Sequence, residues 1–141
     1  PGRNFCGKVV ERGSKANSFQ VGEMVFRTYV GTSGLVSLAQ YVSVSEETIA
    51  SVLEELRVDD AAGNSLAGLT ACRSIKPYVK KGDKSFINGG SEGTGVFVIQ
   101  SSKLLSCHVT TTCSSANIDP CKSIGADEII DYKVIEIGET L

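Results

Sequence analysis

The sequence has no excess of positive charge, no long apolar segment and almost no histidine, and each shortage excludes a class of function. Its 14 Lys and Arg residues against 16 Asp and Glu residues give a formal net charge of -2, so no nucleic-acid-binding surface is expected. No apolar run approaches the roughly 18 residues of a membrane span. The single histidine, His108, has no partner for a catalytic triad, and we interpret it as a packing residue.

Cysteine is present, but not in a pattern that binds metal. The five cysteines are scattered, odd in number and never spaced as CxxC, which argues against a disulfide framework and against a zinc site. An intracellular location is therefore expected, with the cytoplasm as the first choice. Because the chain starts at Pro1 rather than Met, we expect a partial or processed chain and leave an organelle open. Cys107 and Cys113 are expected to pack in the core.

The first third of the sequence predicts a small β-rich unit. Apolar runs predict strands at residues 5–10, 21–26 and 35–44, separated by turn-prone stretches at 12–17 and 31–34. From Glu46 onward, apolar residues recur at helical spacing and predict an amphipathic helix. A second helix is predicted over 59–75 and ends before Pro77. We place the boundary between two parts of the chain near residue 65.

The second half of the sequence alternates predicted strands and helices in the order βαβαβ. The elements are a strand at 84–88, a helix reaching 105, a strand at 107–113, a short helix from 119 and a strand at 128–132. Pro120 suits the start of the short helix, and Gly125 suits its end. Short strands joined by helices predict an α/β fold with a parallel sheet covered on both faces.

A glycine-rich turn, INGGSEGTG at residues 87–95, joins the first of these strands to its helix. Small residues at such a turn let the backbone approach a pyrophosphate and let the helix pack on the strand. A GxGxxG pattern places Gly90 first and Gly95 last, but its second position is Glu92. A carboxylate there would repel an anionic ligand by about 1–3 kcal/mol. Two interpretations stay open, a dinucleotide site and a turn that only connects strand to helix.

The end of the second predicted strand bears on which dinucleotide would bind. A carboxylate that binds the adenosine ribose is expected about 20 residues after the glycine turn, but the sequence there is TCSS, residues 112–115. Hydroxyl groups without an acid tolerate a 2′-phosphate, so NADP is favoured over NAD. The alternative is an ordinary turn capped by serine.

Several ordered motifs together resemble the medium-chain dehydrogenase/reductase superfamily, in its zinc-independent, quinone-oxidoreductase-like branch. They are GRNFCGKVV at 2–10, FQVGEMV at 19–25, LAGLTA at 66–71, the glycine turn, and GADEIIDY at 125–132. The resemblance implies a partial GroES-like catalytic domain over residues 1–65 and the first half of a Rossmann domain over 66–141. It also favours a short strand, rather than a helix, in the segment after Glu46.

The resemblance implies a set of cofactor-binding positions. Thr70 would lie beside the nicotinamide, the turn under the pyrophosphate, Ser114 near the adenosine ribose and Tyr132 near its 2′-phosphate. The turn contributes Gly90, Ser91, Gly93, Thr94 and Gly95. A lysine that binds the 2′-phosphate in some relatives would fall at Asn117, and Ser106 stands where relatives have glycine.

The resemblance favours an enzyme, an NADPH-dependent oxidoreductase that transfers hydride to a quinone or to an activated alkene or carbonyl. Its partner would be a small-molecule substrate, and neither catalytic nor structural zinc is expected. No residue can be assigned as the proton donor. The alternative is a truncated or degenerate relative that has lost catalysis and acts, if at all, as an interaction module. A tendency to self-associate is expected of an incomplete sheet.

Overall fold

The computed structural model describes residues 2–28 and 37–134. The chain divides into two compact units, Pro1–Leu66 and Ala67–Leu141. An antiparallel sheet lies in the first unit and a parallel sheet in the second. The predicted fold class is therefore confirmed.

The first unit is built on three antiparallel strands in the order β1-β2-β3: β1 (Asn4–Lys8), β2 (Met24–Thr28) and β3 (Ala50–Ser51). Two further backbone hydrogen bonds, from Val9 N–H to the Glu23 carbonyl and from Gly22 N–H to the Val9 carbonyl, continue the β1–β2 ladder toward its connection. Val25, on the central strand, is buried with 5% exposure.

The prediction of a third long strand over 35–44 is wrong for residues 37–44, which form bends and irregular backbone. The turn-prone stretch 31–34 and the first two residues of that run lie outside the described residues. The apolar residues of this run are not enough to form a strand, because a strand needs a neighbour to which its backbone can bond. Leu38 and Tyr41 are instead strongly exposed.

The helix predicted from Glu46 is also wrong. Glu46–Thr48 form a single 3-10 turn, which is followed by β3. The Val52 N–H donates to the Met24 carbonyl at 2.9 Å, and Phe26 pairs with Ala50, so pairing with β2 satisfies this backbone better than a short isolated helix would. A short strand is what the family resemblance favours at this point.

Helix α1 (Val58–Ile75) agrees with the predicted helix over 59–75. Asp59 and Asp60 lie in its first turn and Arg73 in its last, an arrangement that complements the helix dipole. Its buried residues are Ala61, Ser65, Ala71 and, at its end, Ile75, and α1 runs through residue 66, where the two units divide.

The second unit confirms the predicted βαβαβ order. Its elements are β4 (Lys84–Ile87), α2 (Gly93–Leu104), β5 (His108–Cys113), α3 (Ile118–Ser123) and β6 (Glu128–Asp131), with the strands parallel and in the order β4-β5-β6. Residues from both helices and all three strands form one apolar core, in which the fully buried side chains include Ile99, Val109, Cys107, Cys113 and Cys121. Core packing of Cys107 and Cys113 is thus confirmed.

Coverage of both faces of the parallel sheet is not observed among the described residues. Phe86, Thr110 and Glu128 lie side by side in the strand register. Phe86 keeps 44% exposure, and an open cavity of about 460 Å³ lies over this row. Helices α2 and α3 therefore leave the row around Phe86 open.

An ionic contact fixes the end of the second unit opposite the glycine turn. Lys103 Nζ, at the end of α2, donates to the carboxylate of Asp127 at 2.7 Å and to the Cys107 carbonyl at 3.0 Å. Asp127 also accepts the Val109 N–H at 2.7 Å. The hydrogen bond from Lys103, followed by that from Val109, lowers the pKa of Asp127 below its ordinary value. A Cβ at Gly125 would meet Lys103 Cγ at 2.7 Å, so this glycine leaves room for the lysine.

Candidate functional site

The turn between β4 and α2 is held against the end of the neighbouring strand. Gly89 has a φ of +76°, and its N–H donates to Thr112 Oγ1 at 2.9 Å. The next amide, of Gly90, donates to the Thr112 carbonyl at 2.9 Å. Val96 N–H then donates to the Glu92 carbonyl and forms the first bond of α2. The chain thus turns from strand to helix within five residues.

Two glycines of the turn are required by close packing. A Cβ at Gly90 would meet Thr111 Oγ1 and, at 2.9 Å, Ile99 Cδ1. A Cβ at Gly95 would meet the Gly89 carbonyl oxygen and, at 2.9 Å, Gly90 Cα. Gly93 differs, since a Cβ there has no neighbour within 4 Å. The first and last glycines of the pattern therefore shape the turn, whereas Gly93 borders open space.

The start of α2 offers backbone amides to an anion. Because the helical ladder begins at Val96, the amides of Gly93, Thr94 and Gly95 lie outside it. Such amides, together with the helix dipole, favour a phosphate at this end. Glu92 is the N-cap residue, is exposed, and makes no side-chain capping bond. The backbone of the turn fits a pyrophosphate, while the Glu92 carboxylate opposes one.

Two of the predicted site serines are brought together by Asn117, which lies three residues after Ser114 in the same loop. Asn117 Nδ2 donates to Ser91 Oγ and to Ser114 Oγ, each at 3.2 Å. Ser91 belongs to the glycine turn, and Ser114 follows β5. The two loops therefore meet at the carboxyl edge of the parallel sheet, where open α/β sheets bind ligands.

Tyr132 lies at the same edge of the sheet. It follows β6 directly, its N–H donates to the Cys113 carbonyl at 3.3 Å, and its side chain is half-exposed. Thr70, in contrast, lies on the exposed side of α1, and its carbonyl accepts a hydrogen bond from Ser74 Oγ. Its place beside a nicotinamide stays a prediction.

Sequence reasoning missed a carboxylate at this edge. No acid follows β5, as noted above, but Asp131 ends the neighbouring β6 and accepts hydrogen bonds from Ser115 Oγ and from Lys133 N–H. These two bonds, the first being the stronger influence, lower the pKa of Asp131. The parallel register that pairs Cys113 with Asp131 is the signal that would have identified it.

His108 is not the packing residue that the sequence predicts. It is the first residue of β5, its side chain is 45% exposed, and its Nε2 lies 3.3 Å from Glu128 Oε1. Cys107 and Val109, on either side of it, point into the core, so strand alternation directs His108 outward. Its position at the amino end of β5 places it at the opposite end of this strand from the glycine turn.

No nucleophile or metal centre emerges from the remaining candidates. Burial, and then the neighbouring Cys121, raises the pKa of Cys113 to about 11, so this thiol stays protonated near neutral pH. Across residues 2–28 and 37–134, no three His, Cys, Asp or Glu side chains are grouped so that they could hold a metal ion. No helix in the same ranges has the length and apolar character needed to traverse a lipid bilayer.

Comparison with known proteins gives close relatives over nearly the whole chain, although no protein-family model matches it. The chain is 39% identical over 144 residues to the trans-enoyl reductase pgmF of Aspergillus terreus, covering 97% of this chain and 40% of the relative. It is 36% identical over 143 residues to the chloroplastic quinone-oxidoreductase QR1 of Triphysaria versicolor, covering 96% of this chain and 43% of the relative. The chain thus spans about two fifths of the length of these curated relatives.

Solved structures agree with these relatives. The quinone oxidoreductase from Coxiella burnetii superposes with a TM-score of 0.91 at 34% identity, covering 99% of this chain and 44% of the other. A mycobacterial protein complexed with NADPH superposes with a TM-score of 0.80 at 27% identity, covering 92% of this chain and 40% of the other.

Proposed function

Because this chain belongs to the medium-chain dehydrogenase/reductase superfamily, alongside quinone oxidoreductases and enoyl reductases, we propose that it carries the pyrophosphate-binding half of an NADPH site. The observation that carries the proposal is the shape of the turn: Gly90 and Gly95 leave no room for a Cβ, and the first three amides of α2 lie outside its helical ladder. The close packing of the two glycines fixes the shape of the turn, and the amides outside the ladder are what suit it to a phosphate.

We assign the contacts of the cofactor by its chemistry. The turn, Gly90 to Gly95 with Ser91 and Thr94 among them, binds the pyrophosphate through backbone amides and hydroxyls. Ser114 and Tyr132, at the ends of β5 and β6, bind the adenosine ribose and its 2′-phosphate. The NADPH complex among the structural relatives supports NADP over NAD. The Glu92 carboxylate repels the pyrophosphate of either dinucleotide, whereas the Asp131 carboxylate, at the end of β6, acts against a 2′-phosphate.

The reaction we propose is hydride transfer to a quinone or to an activated alkene or carbonyl, as the names of the relatives suggest. The nicotinamide supplies the hydride when it is bound, and the protein binds and orients it. In this chain the turn would fix the phosphates, and Thr70 would lie beside the nicotinamide. No zinc is required for this role.

Titration of the 141-residue chain with NADPH and with NADH, followed by cofactor fluorescence, tests the proposal. We expect saturable binding, tighter for NADPH, in a sample whose circular dichroism shows the α/β fold. Folded protein that shows no saturable change at millimolar NADPH would overturn the assignment of the turn.

Substitution of Glu92 distinguishes a cofactor site that this carboxylate weakens from the alternative, a degenerate relative that has no such site. Glu92→Gly removes both the charge and the side chain, and we expect NADPH affinity to rise about tenfold, the equivalent of ~1.4 kcal/mol. Glu92→Gln, which keeps the side chain, should recover only the part due to charge. If neither variant gains affinity and the wild type does not bind, the non-enzymatic alternative is favoured.

The other attributes of the protein remain proposals of the same kind. An intracellular location is expected, and the chloroplastic relative makes an organelle as acceptable as the cytoplasm. A small molecule is the proposed partner. Self-association is measured by sedimentation of the same sample.

A further inference from the structure

Two adjacent threonines of β5 are buried where an apolar strand residue would ordinarily stand. Thr111 and Thr112 have 0% exposure, and their strand also contributes Val109 and Cys113 to the apolar core. A buried hydroxyl costs free energy unless it is hydrogen-bonded. The contacts of these two hydroxyls therefore indicate why they are there.

The Thr111 hydroxyl links β5 to the end of β4. It donates to the Ile87 carbonyl of β4 at 2.7 Å, and Thr111 pairs with Ile87 in the parallel register. Its Oγ1 also occupies the space that a Cβ at Gly90 would need. Thr111 thus fixes where β4 ends.

Thr112 holds the turn itself. Its Oγ1 donates to Asn88 Oδ1 at 2.7 Å and accepts the Gly89 N–H at 2.9 Å, while its carbonyl accepts the Gly90 N–H at 2.9 Å. One residue of β5 therefore bonds three consecutive residues of the turn. Valine would fill the same volume and suits a strand, but it would leave Asn88 and the buried side of Gly89 without these bonds.

We propose that Thr112 is a positioning residue for the glycine turn, whose hydroxyl sets the orientation of the Asn88–Gly90 peptides and thereby the amides that bind the cofactor's pyrophosphate. The inference rests on the proposed function of that turn. The hydroxyl acts through Gly89 and Gly90 and does not touch the cofactor. A shift of 1 Å in such a turn is enough to weaken a site that depends on aligned amides.

Three variants separate positioning from packing. Thr112→Val keeps the volume and removes the hydroxyl, and we expect NADPH affinity to fall about tenfold. Thr112→Ser keeps the hydroxyl and removes a methyl group, so stability should fall while affinity stays within about threefold of wild type. Thr110→Val is the matched control, because Thr110 lies on the same strand as Thr112 but its hydroxyl donates to Glu128 of β6, away from the turn, at 3.1 Å.

Amide hydrogen exchange, read by NMR without cofactor, gives the second measurement. Thr112→Val should speed exchange at Gly89 and Gly90 by at least about tenfold, and Thr110→Val should leave both unchanged. Equal exchange in Thr112→Val and wild type, or equal loss of affinity in Thr112→Ser and Thr112→Val, would overturn the inference. If wild type binds no NADPH, the proposed function fails, and the exchange rates still decide whether Thr112 positions the turn.

Discussion

The two units of this chain differ in what holds them together. In the first, β1 and β2 are bonded along their length, but within the described ranges Val25 is the buried apolar residue of the sheet. In the second, helices and strands share one apolar core. Buried hydroxyls and the buried glycines of the turn, Gly90 and Gly95, lie at the carboxyl edge of its parallel sheet. Ladder hydrogen bonds alone add little net stability, whereas apolar burial adds more. The part of the chain with the deeper core is thus the part that can hold a ligand geometry rigidly.

Replacing a glycine by alanine should give the largest difference in stability loss between the two units. Gly95→Ala forces a Cβ against the Gly89 carbonyl and Gly90 Cα, and backbone atoms in a packed turn cannot move away cheaply. We expect a loss of about 3 kcal/mol in the free energy of unfolding, measured in urea, and loss of NADPH binding. Gly7→Ala, on β1, has no neighbour within 4 Å and should change stability by less than about 0.5 kcal/mol.

A matched control lies in the same turn. Gly93→Ala also meets nothing within 4 Å and sits at the first residue of α2, where alanine is favourable. It should therefore be near neutral in the urea experiment. If Gly93→Ala and Gly95→Ala destabilise equally, the turn is sensitive to any side chain and the close packing at Gly95 is not the cause.

The same contrast explains what the sequence could predict. In the second unit, local signals and tertiary contacts agree: the glycine turn marks the end of the strand predicted at 84–88, Pro120 lies in the first turn of α3 with Gly125 just after its end, and Val109 and Thr111 of β5 are buried at strand alternation. Each of these elements formed within two residues of its predicted bounds. The sequence therefore predicts both the parallel fold and the place of the glycine turn.

In the first unit, local pattern and tertiary contact conflict. The spacing after Glu46 is helical, but β2 offers an unpaired edge and the segment pairs with it through Ala50. Glu46 instead accepts the N–H groups of Asn17 and Ser18, 29 and 28 residues away in the sequence. Contacts so distant in sequence leave no periodic signal. Asp131 and Thr112 were missed in the second unit for the same reason, since both act across strands.

The two units should differ by a smaller amount in how their stability depends on acidic pH. Asp127 joins α2 to β5 through Lys103 and Val109, and its pKa lies below its ordinary value of 3.8. A depressed pKa adds stability that is present above pH 3.8 and is lost as the pH falls through the lower value of the folded state. We expect Asp127→Asn to cost about 1 kcal/mol at pH 7, since the pair is partly exposed, and the difference from wild type to shrink at pH 3.

Glu46 is the counterpart in the first unit. Hydrogen bonds from Ser18 and then Asn17 lower its pKa, but these bonds join two connecting segments, whereas Asp127 joins a helix to a strand of the apolar core. Glu46→Gln should therefore cost less stability than Asp127→Asn at pH 7, in urea unfolding of both variants. A larger loss for Glu46→Gln would mean that the connection between β1 and β2 limits the stability of the whole chain.

A substitution at the end of α2 is expected to give the smallest change in stability, and that change is an increase. Ser106 has a φ of 56°, and the pairs Ser106 N–H to Lys103 carbonyl and Cys107 N–H to Ser102 carbonyl form the Schellman motif that ends a helix. Glycine adopts this conformation without the Cβ cost, so Ser106→Gly should stabilise the chain by about 0.5–1 kcal/mol in urea. Gly22→Ala, at a φ of 101° in the first unit, should destabilise by a similar amount. Because Ser106 is exposed, Ser106→Ala, which keeps the Cβ, should change the free energy of unfolding little. If alanine stabilised the chain as much as glycine, the positive φ of Ser106 would not be the cause of the gain.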